Sequence, residues 1–301
     1  MIQNMKKNIG GEVVGIYHKD CLDGTTAAAV LLKKFPHAEV FSMKHSYTTD
    51  DLEFLSRKFN PQTILYIVDF SLRDNAHFEL LLKKVKRIIV IDHHIGVNGR
   101  LTDYAAKEPR IEYVFDNNQS GASLSWLYFF ETPIPEVIMC VADGDLGRFK
   151  FKKKTWQITS ALSLFINNPR IMKNKIISKP EFIKKIRAEG KIISDYTDVI
   201  VRRTLQDLAY TKIKIGKYIV EAYNPPEFLR TQIAREIYAK TKKPVAIFNI
   251  NGEHVRVHFR SENSIHPSAL ELAQTIGGNG HRNAAAASVS LKKFLAMIIA
   301  S

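Results

Sequence analysis

Asp92-His93-His94 sets a carboxylate and two imidazoles side by side, directly after the apolar run Ile88-Ile89-Val90-Ile91. A run of β-branched residues of this kind reads as a parallel-type strand buried on both faces. Open α/β sheets bind their ligands beyond the carboxyl ends of such strands, so three potential metal ligands there predict a site. Taken alone, the tripeptide is equally compatible with a helix N-cap and two solvated histidines. Three further apolar runs remove that parity. Val13-Val14-Gly15-Ile16-Tyr17 ends at His18, with Asp20 and Asp23-Gly24 close behind, and Ile64-Leu65-Tyr66-Ile67-Val68 ends at Asp69. Val137-Ile138-Met139-Cys140-Val141-Ala142, strand or helix by periodicity alone, ends at Asp143 and Asp145. Four hydrophobic segments deliver Asp or His at the same end, and the expected geometry is one edge of one sheet.

Clustered Asp and His can hold two divalent ions about 3.5–4 Å apart, bridged by a carboxylate and by water whose pKa the ions lower toward neutrality. That chemistry suits phosphoryl substrates, whose charge the ions stabilise. Asp69 is the candidate bridging carboxylate. His94 is expected either to support the metal ligands from behind or to face the phosphate, because only one of two adjacent histidines on an extended segment points into a site.

His18 with Asp20 and Asp23-Gly24, then Asp69, then Asp92-His93-His94, then Asp143 resemble the four ordered motifs of the DHH phosphoesterase superfamily. That superfamily includes RecJ-type exonucleases, nanoRNases, cyclic-dinucleotide phosphodiesterases and family II pyrophosphatases. Near the other end, Gly277-Gly278-Asn279-Gly280-His281-Arg282, followed by four alanines at 284–287, resembles the glycine-rich GGGH signature of the DHH-associated C-terminal domain. The resemblance implies a metal set of His18, Asp20, Asp23, Asp69, His93 and Asp143, holding two Mn²⁺ with Mg²⁺ as the alternative. It also implies catalytic roles for His94 and Asp69.

The first motif departs from the family pattern His-x-Asp-x-Asp-Gly, since His18 lies five residues before Asp23. Aligned on Asp23-Gly24, the first aspartate position falls on Cys21; aligned on His18, it falls on Asp20. A hard Mn²⁺ or Mg²⁺ prefers carboxylate oxygen to thiolate, so the expectation is a one-residue insertion with Asp20 as ligand and Cys21 as a buried structural residue.

Residues 254–260 alternate Val255, Val257 and Phe259 with Arg256, His258 and Arg260, the period of a strand with one polar face. Arg260-Ser261 resembles the Arg-Ser that precedes the glycine-rich loop in the associated domain, where the arginine contacts substrate. In the loop, Gly278 and Gly280 leave backbone amides able to close on an anion as a nest, with His281 placed to donate a hydrogen bond. Arg260, Ser261, Gly278, Gly280 and His281 are therefore the expected substrate-binding residues.

These residues need a scaffold that places them. Up to about residue 150 strand runs alternate with amphipathic segments at 25–35, 50–59 and 75–85, the pattern of βαβ units. Gly24-Thr25-Thr26 opens a helix directly after a strand, and Ser120-Gly121-Ala122 opens another whose Trp126, Phe129 and Phe130 read as core. Residues 166–205, including Asn167-Asn168-Pro169, the basic stretch 173–179 and a long charged segment, read as an exposed linker and helix. Beyond it, Tyr218-Ile219-Val220-Glu221-Ala222, residues 245–250 and residues 254–260 read as strands, with Asn251-Gly252 as a hairpin turn. The expected class is α/β: a parallel-sheet DHH catalytic domain over 1–165, a helical linker over 166–205, and a smaller α/β substrate-binding domain with a mixed sheet over 206–301.

With 301 residues the chain exceeds what one core usually fills. Its net charge of +14, from 44 basic and 30 acidic residues, suits a phosphate-bearing partner as well as a basic background composition. Clustering favours the partner: Arg148, Lys150, Lys152, Lys153 and Lys154 surround Phe149 and Phe151 just after the fourth motif. Two cysteines without zinc-type spacing, a start (Met1-Ile2-Gln3-Asn4-Met5-Lys6-Lys7) lacking an apolar signal core, and no bilayer-length apolar stretch lead to a cytoplasmic expectation with no membrane partner. The tail Phe294-Leu295-Ala296-Met297-Ile298-Ile299-Ala300 reads as a last packed helix.

The expected activity is metal-dependent hydrolysis of short oligonucleotides, linear dinucleotides or cyclic (di)nucleotides to mononucleotides. The alternatives are a RecJ-like exonuclease on single strands, which calls for an extended channel of aromatics and cations, and a catalytically silent nucleotide-binding module. The sequence leaves a homodimer open.

Overall fold

The computed structural model describes residues 12–174, 181–262 and 264–299. Most of the basic stretch at 173–179, the Met1–Lys7 start and Ala300 lie outside the described residues. The chain divides into two compact units, one up to Ile193 and one from Ser194.

The first unit alternates strands and helices: β1 (Val13–His18), α1 (Leu22–Lys34), β2 (Glu39–Met43), α2 (Thr49–Ser56), β3 (Ile64–Val68), α3 (Asn75–Leu82), β4 (Arg87–Asp92), α4 (Ile95–Ala105) and β5 (Ile111–Phe115). Four helices follow: α5 (Gly121–Phe129), α6 (Glu136–Asp145), α7 (Lys153–Leu162) and α8 (Pro169–Met172). The five strands form one all-parallel sheet in the order β2-β1-β3-β4-β5. Both faces are covered, as continuous apolar runs require. Along β3, Ile64, Tyr66 and Val68 enter the core shared with α1, α5, α6 and α7, while Leu65 and Ile67 enter the opposite core with α2, α3 and α4.

The fourth apolar run is a helix. Val137, Ile138, Cys140 and Val141 on α6 pack into the first core, so only three of the four chemistry-bearing segments are strands of the sheet. Its two carboxylates are separated by the helical rather than the strand period, with consequences for the site.

The long charged segment is helix α9 (Phe182–Asp207), and the boundary between the units falls within it. Its N-terminal half is more than an exposed spacer. Ile186 is buried in the first unit's core, and a Cβ on Gly190 would collide with the Gln157 backbone of α7, so this glycine lets the two helices touch.

The second unit contains β6 (Tyr210–Ile215), β7 (Tyr218–Tyr223), α10 (Arg230–Thr241), β8 (Val245–Asn251), β9 (His254–Arg260), α11 (Ala269–Thr275), β10 (Asn279–His281), β11 (Ala284–Ser290) and α12 (Leu291–Met297). The strands form a mixed sheet, β10-β11-β9-β8-β7-β6, in which only β7 and β8 pair in parallel. Val255, Val257 and Phe259 face the core under α11 and α12, as their alternation predicts. On the other face α10 covers Val245 and Ile247. The β8-β9 hairpin turns at Gly252-Glu253, with Asn251 still paired to His254, one residue later than the Asn251-Gly252 expectation.

Candidate metal centre

The carboxyl ends of β1, β3 and β4 lie side by side in the sheet, and each carries ligand-type residues. Asp69, the first residue after β3, has a left-handed backbone (φ 51°) and donates its N–H to the Ile91 carbonyl at 3.0 Å. That conformation is uncommon outside glycine and Asn/Asp, and such residues concentrate at functional sites. Its buried carboxylate lies 3.1 Å from His93 Nε2 and 3.7 Å from His18 Nδ1. Burial raises its pKa, but hydrogen bonds to His18 and His93 win and hold Asp69 well below the usual carboxylate range.

Asp23 sits in the first turn of α1. Its carboxylate accepts a 2.6 Å hydrogen bond from Ser120 Oγ and others from the Ala122 N–H, so it joins the start of α1 to the start of α5. Two glycines make the approach possible: a Cβ on Gly24 would meet the His18 carbonyl at 2.5 Å, and one on Gly121 would meet Asp69 Cβ at 2.4 Å. Burial, then the charges of Asp69 and Asp145, push Asp23 well above the usual carboxylate range.

His93 is buried, with Nε2 between Asp69 (3.1 Å) and Asp145 Oδ2 (3.6 Å). Although burial opposes it, the Asp69 hydrogen bond and the charges of Asp145 and Asp23 push His93 up to about 10. These carboxylates demand positive charge: a proton on His93 supplies one unit, a divalent ion two. His94 is partly exposed, and its Nδ1 is held at 2.7 Å by buried Asp92, which also accepts from the His93 N–H at 2.8 Å. Asp92 therefore orients both imidazoles, the usual task of a carboxylate behind metal-site histidines.

Two of the expected ligands lie elsewhere. Asp143 accepts hydrogen bonds from Lys150 N (2.8 Å), Phe151 N (3.2 Å) and Thr155 Oγ1, which pins the loop before α7. Asp145, not Asp143, faces His93. Asp20 is turned outward on a left-handed backbone (φ 58°), its carboxylate more than half exposed, accepting from Asn167 Nδ2 at 2.7 Å and facing Lys44. The extra residue of the first motif is absorbed in that turn, and Cys21 takes the inward position with Sγ 3.5 Å from Asp69 Oδ2. A histidine that the motifs do not mark also reaches this edge: His45, two residues past β2, stacks on Phe70 at 5.2 Å with its centroid 4.3 Å from that of His18.

The donor set fits divalent metal. In each of three groups, one ligand atom per residue lies within 4.8 Å of the others: Asp69, Asp92, His93 and His94; His18, Cys21 and Asp69; and Asp23, His93 and Asp145. Asp69 and His93 are each shared by two groups. The signal for Asp145 was in the sequence, two residues past Asp143; helical spacing decides between them.

In the second unit, register brings Arg260, Ala284 and His281 into one row across β9, β11 and β10. Ser261 and the glycines make hydrogen bonds within the unit. Buried Ser261 Oγ donates to the Arg282 carbonyl (3.1 Å) and accepts from the Ala269 N–H (2.8 Å). The Gly277 and Gly278 amides donate to carbonyls of Gln274 and Ala273 and close the end of α11, and the Gly280 amide donates to Asn279 Oδ1. The first two amides of the loop thus cap the helix. A Cβ on Gly278 would meet the Ala286 carbonyl at 2.3 Å, which explains glycine there through packing.

No family model and no curated protein matches the chain. Among solved structures it is similar to RecJ from Thermus thermophilus in complex with Mn²⁺, with a TM-score of 0.54 and 15% identity over 95% of this chain and 51% of that one. It is also similar to an exonuclease RecJ bound to manganese, with a TM-score of 0.50 and 14% identity over 95% of this chain and 88% of that one. The chain spans about half the length of the Thermus protein.

Proposed function

We propose that this chain, whose fold is that of RecJ, a DHH phosphoesterase, is a divalent-metal-dependent phosphodiesterase acting on short oligonucleotides, linear dinucleotides or cyclic dinucleotides. The observation that carries the reading is the pair of donor groups joined through the Asp69–His93 contact: His18, Cys21 and Asp69 on one side, Asp23, His93 and Asp145 on the other. Divalent ions held there supply a Lewis acid for phosphoryl oxygens and acidify water toward neutrality.

The chain's own residues do the rest. Asp69, ionised and in contact with His93, joins the two groups. Asp92 holds His94 at 2.7 Å, so that His94 meets the phosphoryl oxygens in one orientation. Arg260 and His281 grip part of the nucleotide that does not change during cleavage, a contribution to uniform binding. Among the described residues no helix is long and apolar enough to cross a membrane.

The RecJ fold and the +14 charge favour a second reading, exonuclease attack on long single strands. A length series of RNA and DNA, with cyclic dinucleotides alongside, separates the two when mononucleotide release is followed with Mn²⁺ and after chelation. The proposal expects dinucleotides to be cleaved faster than long strands and chelation to abolish release. Faster cleavage of long strands, falling steeply with salt as phosphate contacts require, selects the RecJ-like reading. Tight nucleotide binding without turnover selects the silent module.

A further inference from the structure

The loop between β1 and α1 makes a choice that the motif spacing leaves open. Asp20, the carboxylate that a hard ion would prefer, leaves the centre: its side chain is engaged by Asn167 and Lys44, and its backbone is left-handed. Cys21 turns its sulfur inward to Asp69, the carboxylate that also contacts His93 of the other group. We propose that Cys21 is a thiolate ligand, so that His18, Cys21 and Asp69 take a softer divalent ion, of the Zn²⁺ class, than Asp23, His93 and Asp145 do. The inference rests on reading this cluster as a metal centre; it requires nothing about the substrate.

The spacing supports it. Cys21 Sγ and His18 Nδ1 lie 3.5 Å and 3.7 Å from the same oxygen, Asp69 Oδ2. Ligand bonds of about 2.0–2.3 Å to a tetrahedral ion set neighbouring donors about 3.5 Å apart. One sulfur, one nitrogen and one oxygen, all within 4.8 Å of one another, can therefore occupy three corners of such a site and leave a corner for water or substrate. On binding, the Cys21 thiol gives its proton to solvent and its sulfur lone pair to the ion. Thiolate selects borderline and soft metals, whereas carboxylate and imidazole suit Mn²⁺. The second group has oxygen and nitrogen donors only, so the two positions differ in taste and the centre is heterodinuclear.

Cys140, the other cysteine of the sequence, does not confuse the test. It is fully buried on α6 among Val137, Ile138 and Val141. After chelation the whole chain is loaded with Co²⁺, and the thiolate-to-cobalt charge-transfer band is read in the near ultraviolet. The wild type and Cys140→Ser should show the band; Cys21→Ser and Cys21→Ala should not. In competition between Zn²⁺ and Mn²⁺, the preference for Zn²⁺ should fall at least about tenfold in Cys21→Ser, and further in Cys21→Asp, which installs the carboxylate that Mn²⁺ favours. Thermal melts of the metal-free variants report whether each folds, and having three substitutions keeps the test decisive if one does not. Co²⁺ binding without the band, or an equal band and an equal Zn²⁺ preference in folded Cys21→Ser, overturns the thiolate ligand alone. Failure of the wild type to bind any divalent ion overturns the metal centre itself.

Discussion

Asp143 and Asp145 stand two residues apart near the end of α6 and serve opposite sides of it: Asp143 ties down the backbone of residues 150 and 151, while Asp145 reaches to 3.6 Å from His93. Residues at this spacing on a helix do not face each other's neighbours, so one segment cannot deliver both carboxylates to the centre.

The first prediction follows from that division. Asp145→Asn should weaken divalent-ion binding by at least about tenfold and change the melting temperature little. Asp143→Ala leaves two backbone amides and the Thr155 hydroxyl without their acceptor and should cost about 1–3 kcal/mol for the buried groups concerned. Metal titration beside urea unfolding distinguishes them. Loss of the ion at unchanged stability in the Asp143 variant would restore that residue as the ligand.

Asp23→Asn gives the second. Because the folded pKa of Asp23 lies above its unfolded value of 3.8, the unfolded chain ionises first as pH rises, and the group costs stability from that point upward. Asparagine removes the charge, and its side-chain oxygen can still accept from Ser120 and Ala122. The metal-free variant should therefore be more stable than the metal-free wild type at pH 7 while binding divalent ions more weakly. Equal or lower stability in the absence of metal would show that Asp23 is not under strain from Asp69 and Asp145.

The second unit supplies a third. Ser261→Ala should lower stability by about 1–3 kcal/mol through its lost buried hydrogen bonds and leave KM for a dinucleotide near that of the wild type. Arg260→Ala should raise KM more than it lowers kcat, because a contact made equally in ground and transition states appears in KM. A KM effect in the serine variant at full stability would return Ser261 to the substrate.

Much of this was legible in the sequence because buried parallel strands leave an unmistakable text. The runs before His18, Asp69 and Asp92 are continuous and apolar, and the sheet puts their ends together. Elsewhere local geometry decides against spacing. The run before Asp143 carries no periodicity that separates helix from strand, so the motif order points to Asp143, whereas the helix turns Asp145 toward His93. Donor hardness favours Asp20, but the left-handed turn at that residue sends its carboxylate to Asn167 and Lys44. The glycine-rich loop matches a binding signature, yet its amides complete α11, because a helix end must satisfy its last carbonyls wherever it stops. His45 escapes notice because β2 is an edge strand of only five residues with one buried side chain.

His258 carries the last prediction. It lies on β9 between Arg256 and Arg260, opposite Ile247, with Nε2 buried and without a hydrogen-bond partner. Burial first, then the charges of Arg230 and Arg256, lower its pKa to about 3, against 6.5 for the free side chain. For a histidine whose folded pKa is depressed, nothing is lost above pH 6.5, where both states are neutral. As pH falls below that value the unfolded chain takes up the proton and the folded chain does not, so stability declines until the folded pKa is reached. Between about pH 7 and pH 5 this one group should remove about 2 kcal/mol. Urea unfolding at the two pH values, for the wild type and for His258→Gln, isolates it, since every other titrating group is common to both proteins. The variant should show the smaller loss on acidification. Equal losses would mean that His258 titrates normally and that the arginines around it are screened by solvent.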